Sequence, residues 1–115
     1  SVVNIGSIVG HRGFLHLSGY ASTKSALEGL TKSLSIEFAN KNIRFNTVNP
    51  GFTKTSFYKK FKKKRKLYNW TISKIPMKRW GEVQEVSELI CFLLSDKSSY
   101  ITGAEFVVDG GWTIW

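Results

Sequence analysis

Ser7, Tyr20 and Lys24 are the residues of this chain best suited to chemistry, and they stand together in the segment NIGSIVGHRGFLHLSGYASTKSALEGL. Tyr20 and Lys24 are four apart, so on a helix they share one face and an ammonium lies beside a phenol. Such a neighbour favours the phenolate and brings the hydroxyl closer to work as a general acid or base. Ser7 closes an apolar run and can set a second hydroxyl against the same substrate oxygen. Together the three point to proton transfer between a carbonyl and an alcohol. The Tyr-x-x-x-Lys spacing alone is weak evidence, since most such pairs simply decorate a solvated helix.

The elements that must hold these groups follow from the apolar pattern. Residues 1 to 7 read as a strand and 11 to 19 as a loop that brings His11, Arg12, Phe14 and His16 within reach of a substrate. From Gly19 to Asn40 the positions Leu27, Leu30, Leu34 and Phe38 recur at three and four, the period of a helix. A turn-rich stretch at 40 to 42 follows, then a strand over 43 to 48 broken by Asn49-Pro50-Gly51. After an irregular basic segment, Glu82 to Ser95 reads as a helix with Val83, Val86, Leu89, Ile90, Leu93 and Leu94 on its apolar side and acidic residues in its first turn. Tyr100 to Gly103 turns into a last strand, AEFVV. Strands alternating with helices predict an α/β fold on a parallel sheet.

The serine thirteen residues before the tyrosine, the NPGFTKT segment at Asn49 to Thr55 and the closing SSYITGAEFVVDGGW resemble the short-chain dehydrogenase/reductase family in order and spacing. The likeness runs from Ser1 to Trp115 and is similar above all to the 3-oxoacyl-carrier-protein reductase type, although sugar, steroid and polyol dehydrogenases of the family share its phrases. The resemblance implies Tyr20 as acid/base, Lys24 as the group that tunes the phenol and binds the nicotinamide ribose, and Ser7 as the anchor of the substrate oxygen. It implies Pro50 and Gly51 beneath the nicotinamide ring, with the Thr53 backbone and the Thr55 hydroxyl at its carboxamide. The implied cofactor is NAD or NADP, the substrate a small carbonyl or alcohol, and the full-length assembly a homodimer or homotetramer. The hydride belongs to the cofactor.

The same resemblance sets an expectation about extent. The family's fold opens with a strand, a glycine-rich turn and a helix N-terminus that receives the pyrophosphate, and residues 1–115 contain no such unit. The family's Asn-Ala-Gly strand end and its catalytic asparagine are likewise missing, and Asn4 stands in the wrong place to replace the latter. The chain is therefore read as the C-terminal catalytic and substrate-loop part of one domain, a partial Rossmann-like doubly wound sheet, inactive by itself. A non-catalytic remnant kept for subunit pairing stays open.

The single cysteine, Cys91, excludes an internal disulfide and sits in LICFLL, where a buried core thiol is expected. No run approaches the ~20 apolar residues of a membrane span and no signal peptide is visible, so a cytoplasmic setting is expected. No metal site is expected, because neither histidine holds a metal alone.

The charge is concentrated. Eleven of the 17 Lys/Arg fall between Lys54 and Arg79 with no acidic residue among them, which leaves the remainder slightly acidic within a net +9. The centre, YKKFKKKRK over Tyr58 to Lys66, lies where the resembled family keeps its substrate loop. One reading is an electropositive rim for an acidic substrate, such as an acyl group on an acidic carrier. The plainer reading, a solvated lysine-rich surface, is favoured, because Lys is a poorer bidentate reader than Arg. A nucleic-acid module using Phe57, Tyr58, Phe61, Tyr68 and Trp70 for stacking is disfavoured, since the basic residues occupy one short segment rather than a domain face.

Overall fold

The computed structural model describes residues 1–115. Three strands, β1 (Val2–Ile5), β2 (Phe45–Pro50) and β3 (Glu105–Val108), form one parallel sheet in the order β1-β2-β3. Val2 pairs with Phe45 and Ile5 with Val48, while Thr47 pairs with Glu105 and Pro50 with Val108. Five helices connect and cover it: α1 (Ile8–His11), α2 (Ser18–Phe38), α3 (Tyr58–Lys62), α4 (Arg65–Lys74) and α5 (Val83–Leu94). The α/β class and the parallel sheet are as the sequence predicts.

Alternation along β2 separates the two faces. Val48 points to one side, where it joins Val86 and Leu93 of α5 in an apolar cluster flanked by Val3, Ile90 and Phe106. Thr47 points to the other, toward α2. There the contact is polar. Thr31 Oγ1 accepts from Asn4 Nδ2 and from the Thr47 hydroxyl, both at 2.8 Å, and the Ser35 hydroxyl donates to the Thr31 and Phe45 carbonyls. The helix therefore buries Thr31 and Ser35, whereas Leu30 is 48% exposed and Ile36 82%. The leucine period locates the helix correctly but not its buried face, because small hydroxyls that satisfy one another let helix and sheet approach more closely.

Several boundaries differ from the sequence reading. The expected 11–19 loop is preceded by α1, a single turn that the Ser7 side chain caps by accepting from Val9 N at 3.2 Å. β2 continues through Pro50 instead of stopping at Val48. Proline fits because the last rung between β1 and β2 is Gly6 N to Val48 O at 2.8 Å. The next rung would need a donor at residue 50, and proline has none. The ladder therefore ends there, and the chain after β1 turns away from the sheet. The basic segment is not irregular: it forms α3 and α4, neither of which has a side-chain N-cap to announce it. Cys91 is exposed rather than a core thiol. It lies two residues, about 200° of helical rotation, from the buried Leu93, and so on the far side of α5.

The helix α5 opens with a reciprocal capping box between Glu82 and Glu85. Glu85 also grips Arg79 with two hydrogen bonds of 2.6 and 2.7 Å, and the Arg79 guanidinium together with the Glu82 N–H holds its carboxyl down at about 2. A carboxyl bound more tightly as the anion in the fold stabilises the fold above its ordinary pKa of 4.5, and that contribution disappears as pH falls toward 2. Acid titration of the wild type and of Glu85→Gln should therefore converge in stability near pH 2 and diverge above 4.5. A constant difference across this window would assign the loss to something other than the ionised pair.

Candidate active site

The candidate residues come from three places. Ser7 lies just past β1, Tyr20 and Lys24 lie in the first turns of α2, and Pro50 ends β2 with Gly51, Thr53 and Thr55 following it. All seven line one cavity of about 650 Å³ at the C-terminal end of the strands, the edge at which open parallel sheets hold their ligands.

Their present bonds leave the needed donors available. Ser7 Oγ accepts from Val9 N, so its own O–H can still donate. Lys24 Nζ lies 5.6 Å from the centre of the Tyr20 ring and donates to the Ile5 carbonyl at 2.8 Å, leaving two ammonium hydrogens uncommitted to it. Tyr20 is 47% exposed, so its hydroxyl is reachable.

Two glycines shape the cavity floor. A Cβ at Gly6 would meet Asn49 Oδ1 at 1.8 Å, and one at Gly51 would meet the Asp109 Cα and Cβ at 2.7 and 2.6 Å. Only glycine lets the turn after β2 pass so near the turn after β3. Asp109 then holds the closing turn: its carboxylate accepts from Gly111 N, Thr113 N and the Thr113 hydroxyl, each at 2.8 Å.

The remaining wall is aromatic; the sequence reading considered Phe61 and Trp70 only as stacking groups of a disfavoured nucleic-acid module and gave Phe52, Trp80 and Trp112 no role. Phe52 packs on Trp80 and Trp112 at 5.1 and 4.9 Å between ring centres, Phe61 on Trp80 at 5.0 Å, and Trp70 on Trp112 at 5.3 Å. Trp80 is nearly fully buried, with its indole N–H satisfied by Thr71 Oγ1 at 2.8 Å. These residues are scattered between positions 52 and 112, so no local motif marks them; their abundance in one short chain was the available signal.

The charged surroundings divide. Lys59, Lys60 and Lys62 to Lys66 other than Arg65 are exposed lysines, Arg65 is exposed as well, and none is in an ion pair. Lys62 also lies over the Tyr58 and Tyr68 rings, and the Tyr68 hydroxyl, then Lys62 and Lys54, lower the pKa of the Tyr58 phenol. Of the loop residues expected near substrate, Phe14 lines the cavity, but His11 turns beneath α2, 3.1 Å from Glu28 and 2.7 Å from the Asn49 amide nitrogen. His16 occupies a left-handed turn and does not line it.

A family model described as enoyl-(acyl carrier protein) reductase matches residues 1–113. The chain is 41% identical over 114 residues to the 3-oxoacyl-acyl-carrier-protein reductase FabG of Thermotoga maritima, covering 99% of this chain and 46% of that protein. Cyclohexanol dehydrogenase of an Acinetobacter species is 39% identical over 113 residues, 98% of this chain and 43% of the relative. Among solved structures, 4-hydroxyisoleucine dehydrogenase complexed with NADH superposes with a TM-score of 0.94 at 36% identity, over 98% of this chain and 46% of its own. This chain thus spans somewhat under half the length of the curated relatives it matches.

Proposed function

Since the chain belongs to the short-chain dehydrogenase/reductase family, whose cofactors are NAD and NADP, we propose that it supplies the proton-transfer and substrate half of a site interconverting a carbonyl and a secondary alcohol. The observation that carries this reading is the convergence of Ser7, Tyr20 and Lys24 on one cavity at the strand ends. In reduction, the Tyr20 hydroxyl gives its proton to the carbonyl oxygen, and in oxidation the phenolate takes the alcohol proton. The Ser7 O–H hydrogen-bonds the same oxygen and orients it. Lys24, fixed at the Ile5 carbonyl, presents its remaining hydrogens to a ribose hydroxyl.

Pro50, Gly51, Thr53 and Thr55 form the surface on which a nicotinamide ring would rest, and the lack of a side chain at Gly51 lets that turn pack against Asp109. A bound nicotinamide supplies or accepts the hydride. The test is an assay of the complete polypeptide carrying this chain, with NADH and NADPH against a panel of ketones, sugars, polyols and 3-oxoacyl thioesters. Reduction or oxidation of at least one class is expected; no nicotinamide turnover with any of them would overturn the proposal.

A finer reading follows from α3 and α4, whose exposed lysines flank Phe61 and Trp70, two residues that line the cavity. A 3-oxoacyl group delivered by an acidic carrier fits that rim. Replacing Lys62, Lys63 and Lys64 by Gln should then raise KM for the carrier-bound substrate and leave a small neutral analogue unaffected, and added salt should erase the difference. Equal effects on both substrates would identify the run as a solvated surface.

A further inference from the structure

We propose that the catalytic cavity is the first of two chambers, and that together they accept an elongated hydrocarbon ketone or alcohol bearing a carboxylate at its far end. This names the substrate of the site read above as an oxidoreductase, and so rests on that reading. A second cavity of about 730 Å³ adjoins the first, and Phe14, Leu15 and Trp70 belong to the walls of both. A molecule whose carbonyl lies at Tyr20 therefore meets an apolar partition and, past it, more open space.

The walls define what can fill the chambers. In the first, Lys24 is the only charged side chain, and the polar groups besides the proton-transfer residues are threonine hydroxyls. One of these, Thr71, is already engaged by the Trp80 indole and the Tyr68 carbonyl. A sugar or polyol would lose water from its hydroxyls there and find few partners, whereas methylene groups lose nothing. The second chamber keeps the apolar character through Trp112 and Trp115 and adds two cations, Arg12 and Lys74.

Neither cation has a carboxylate partner in the chain. Arg12 donates to the Thr113 carbonyl at 2.5 Å, which fixes its guanidinium beside the closing turn while leaving most of its donors free. Trp115 is tied to the Lys74 carbonyl through its indole N–H at 3.2 Å. Aromatic walls ending in two unpaired cations suit a chain that is hydrocarbon along its length and anionic at its end.

The complete polypeptide should be assayed with methyl ketones of increasing length, with the same ketones ending in a carboxylate, and with polyols. The expected result is a rise in kcat/KM of roughly twofold to fourfold per added methylene. Long carboxylate-ended ketones should exceed methyl-ended ones by about tenfold. Lys74→Met should remove most of that tenfold preference and leave short ketones unchanged. Ser73→Trp, which fills only the second chamber, should depress long ketones alone. Rates that do not rise with length, equal rates for both end groups, or a Ser73→Trp effect equal at all lengths would overturn the two-chamber assignment. Turnover confined to polyols would overturn it while preserving the oxidoreductase reading, and no turnover of any carbonyl or alcohol would overturn both.

Discussion

Tyr20→Phe, introduced in the complete polypeptide, should lower kcat by ~100-fold or more while leaving cofactor affinity nearly intact. The substitution keeps the ring, and therefore its packing near Lys24, and removes only the transferable proton. The half-exposed position of Tyr20 makes a folding defect an implausible source of the loss. Turnover within a few-fold of wild type would remove Tyr20 from the acid/base role. Lys24→Ala should behave differently, weakening turnover and cofactor binding together, because one ammonium is assigned to both the phenol and the ribose. Unchanged cofactor affinity in that variant would strip Lys24 of its ribose contact.

Expressed by themselves, residues 1–115 should fail to bind NAD(H) or NADP(H) at micromolar concentrations and should unfold without a sharp transition. The residues proposed to meet the nicotinamide line a cavity in this chain, but no glycine-rich strand-turn-helix stands among residues 1–115 to hold a pyrophosphate. Only 15 of 115 residues are buried, and β1, the edge strand of a three-stranded sheet, leaves Val2 and Ile5 about two-fifths exposed. Folding margins are ~5–15 kcal/mol even for well-filled domains, and an open apolar edge invites pairing with other chains. Calorimetry combined with cofactor titration decides the matter. A cooperative transition accompanied by micromolar binding would show these residues to be self-sufficient.

The parts of this molecule that were legible in the sequence are those with local signatures. The period of α5 and its acidic first turn placed that helix to within a residue at each end, and the Tyr20–Lys24 spacing on α2 placed both side chains in one cavity. What was hidden depends on neighbours distant in the chain. The burial of Thr31 over Leu30 follows from partners on β1 and β2, and the exposure of Cys91 depends on which side of α5 meets the sheet. α3 and α4 were obscured by their run of lysines, which carries no capping signal; their aromatic contacts, Phe61 on Trp80 and Trp70 on Trp112, join residues distant in the chain. The role of Asp109 likewise depends on its surroundings, since three donors from the closing turn converge on its carboxylate.

The shared oxygen of Thr31 bears on how finely Tyr20 can be aimed. An apolar seam resists separation but tolerates sliding, because the attraction between methyl groups has little directional preference. A hydroxyl that receives Asn4 from one strand and Thr47 from the next acts as a detent: displacement of α2 along its axis breaks two bonds, the one to Thr47 fully buried. Tyr20 and Lys24 ride on the same rigid rod, three and two turns upstream. Their axial position is thus indexed against the sheet by angle-dependent bonds rather than by volume, so a Thr31→Val change, nearly neutral in size, would free the rod to drift and blur the aim of the phenol.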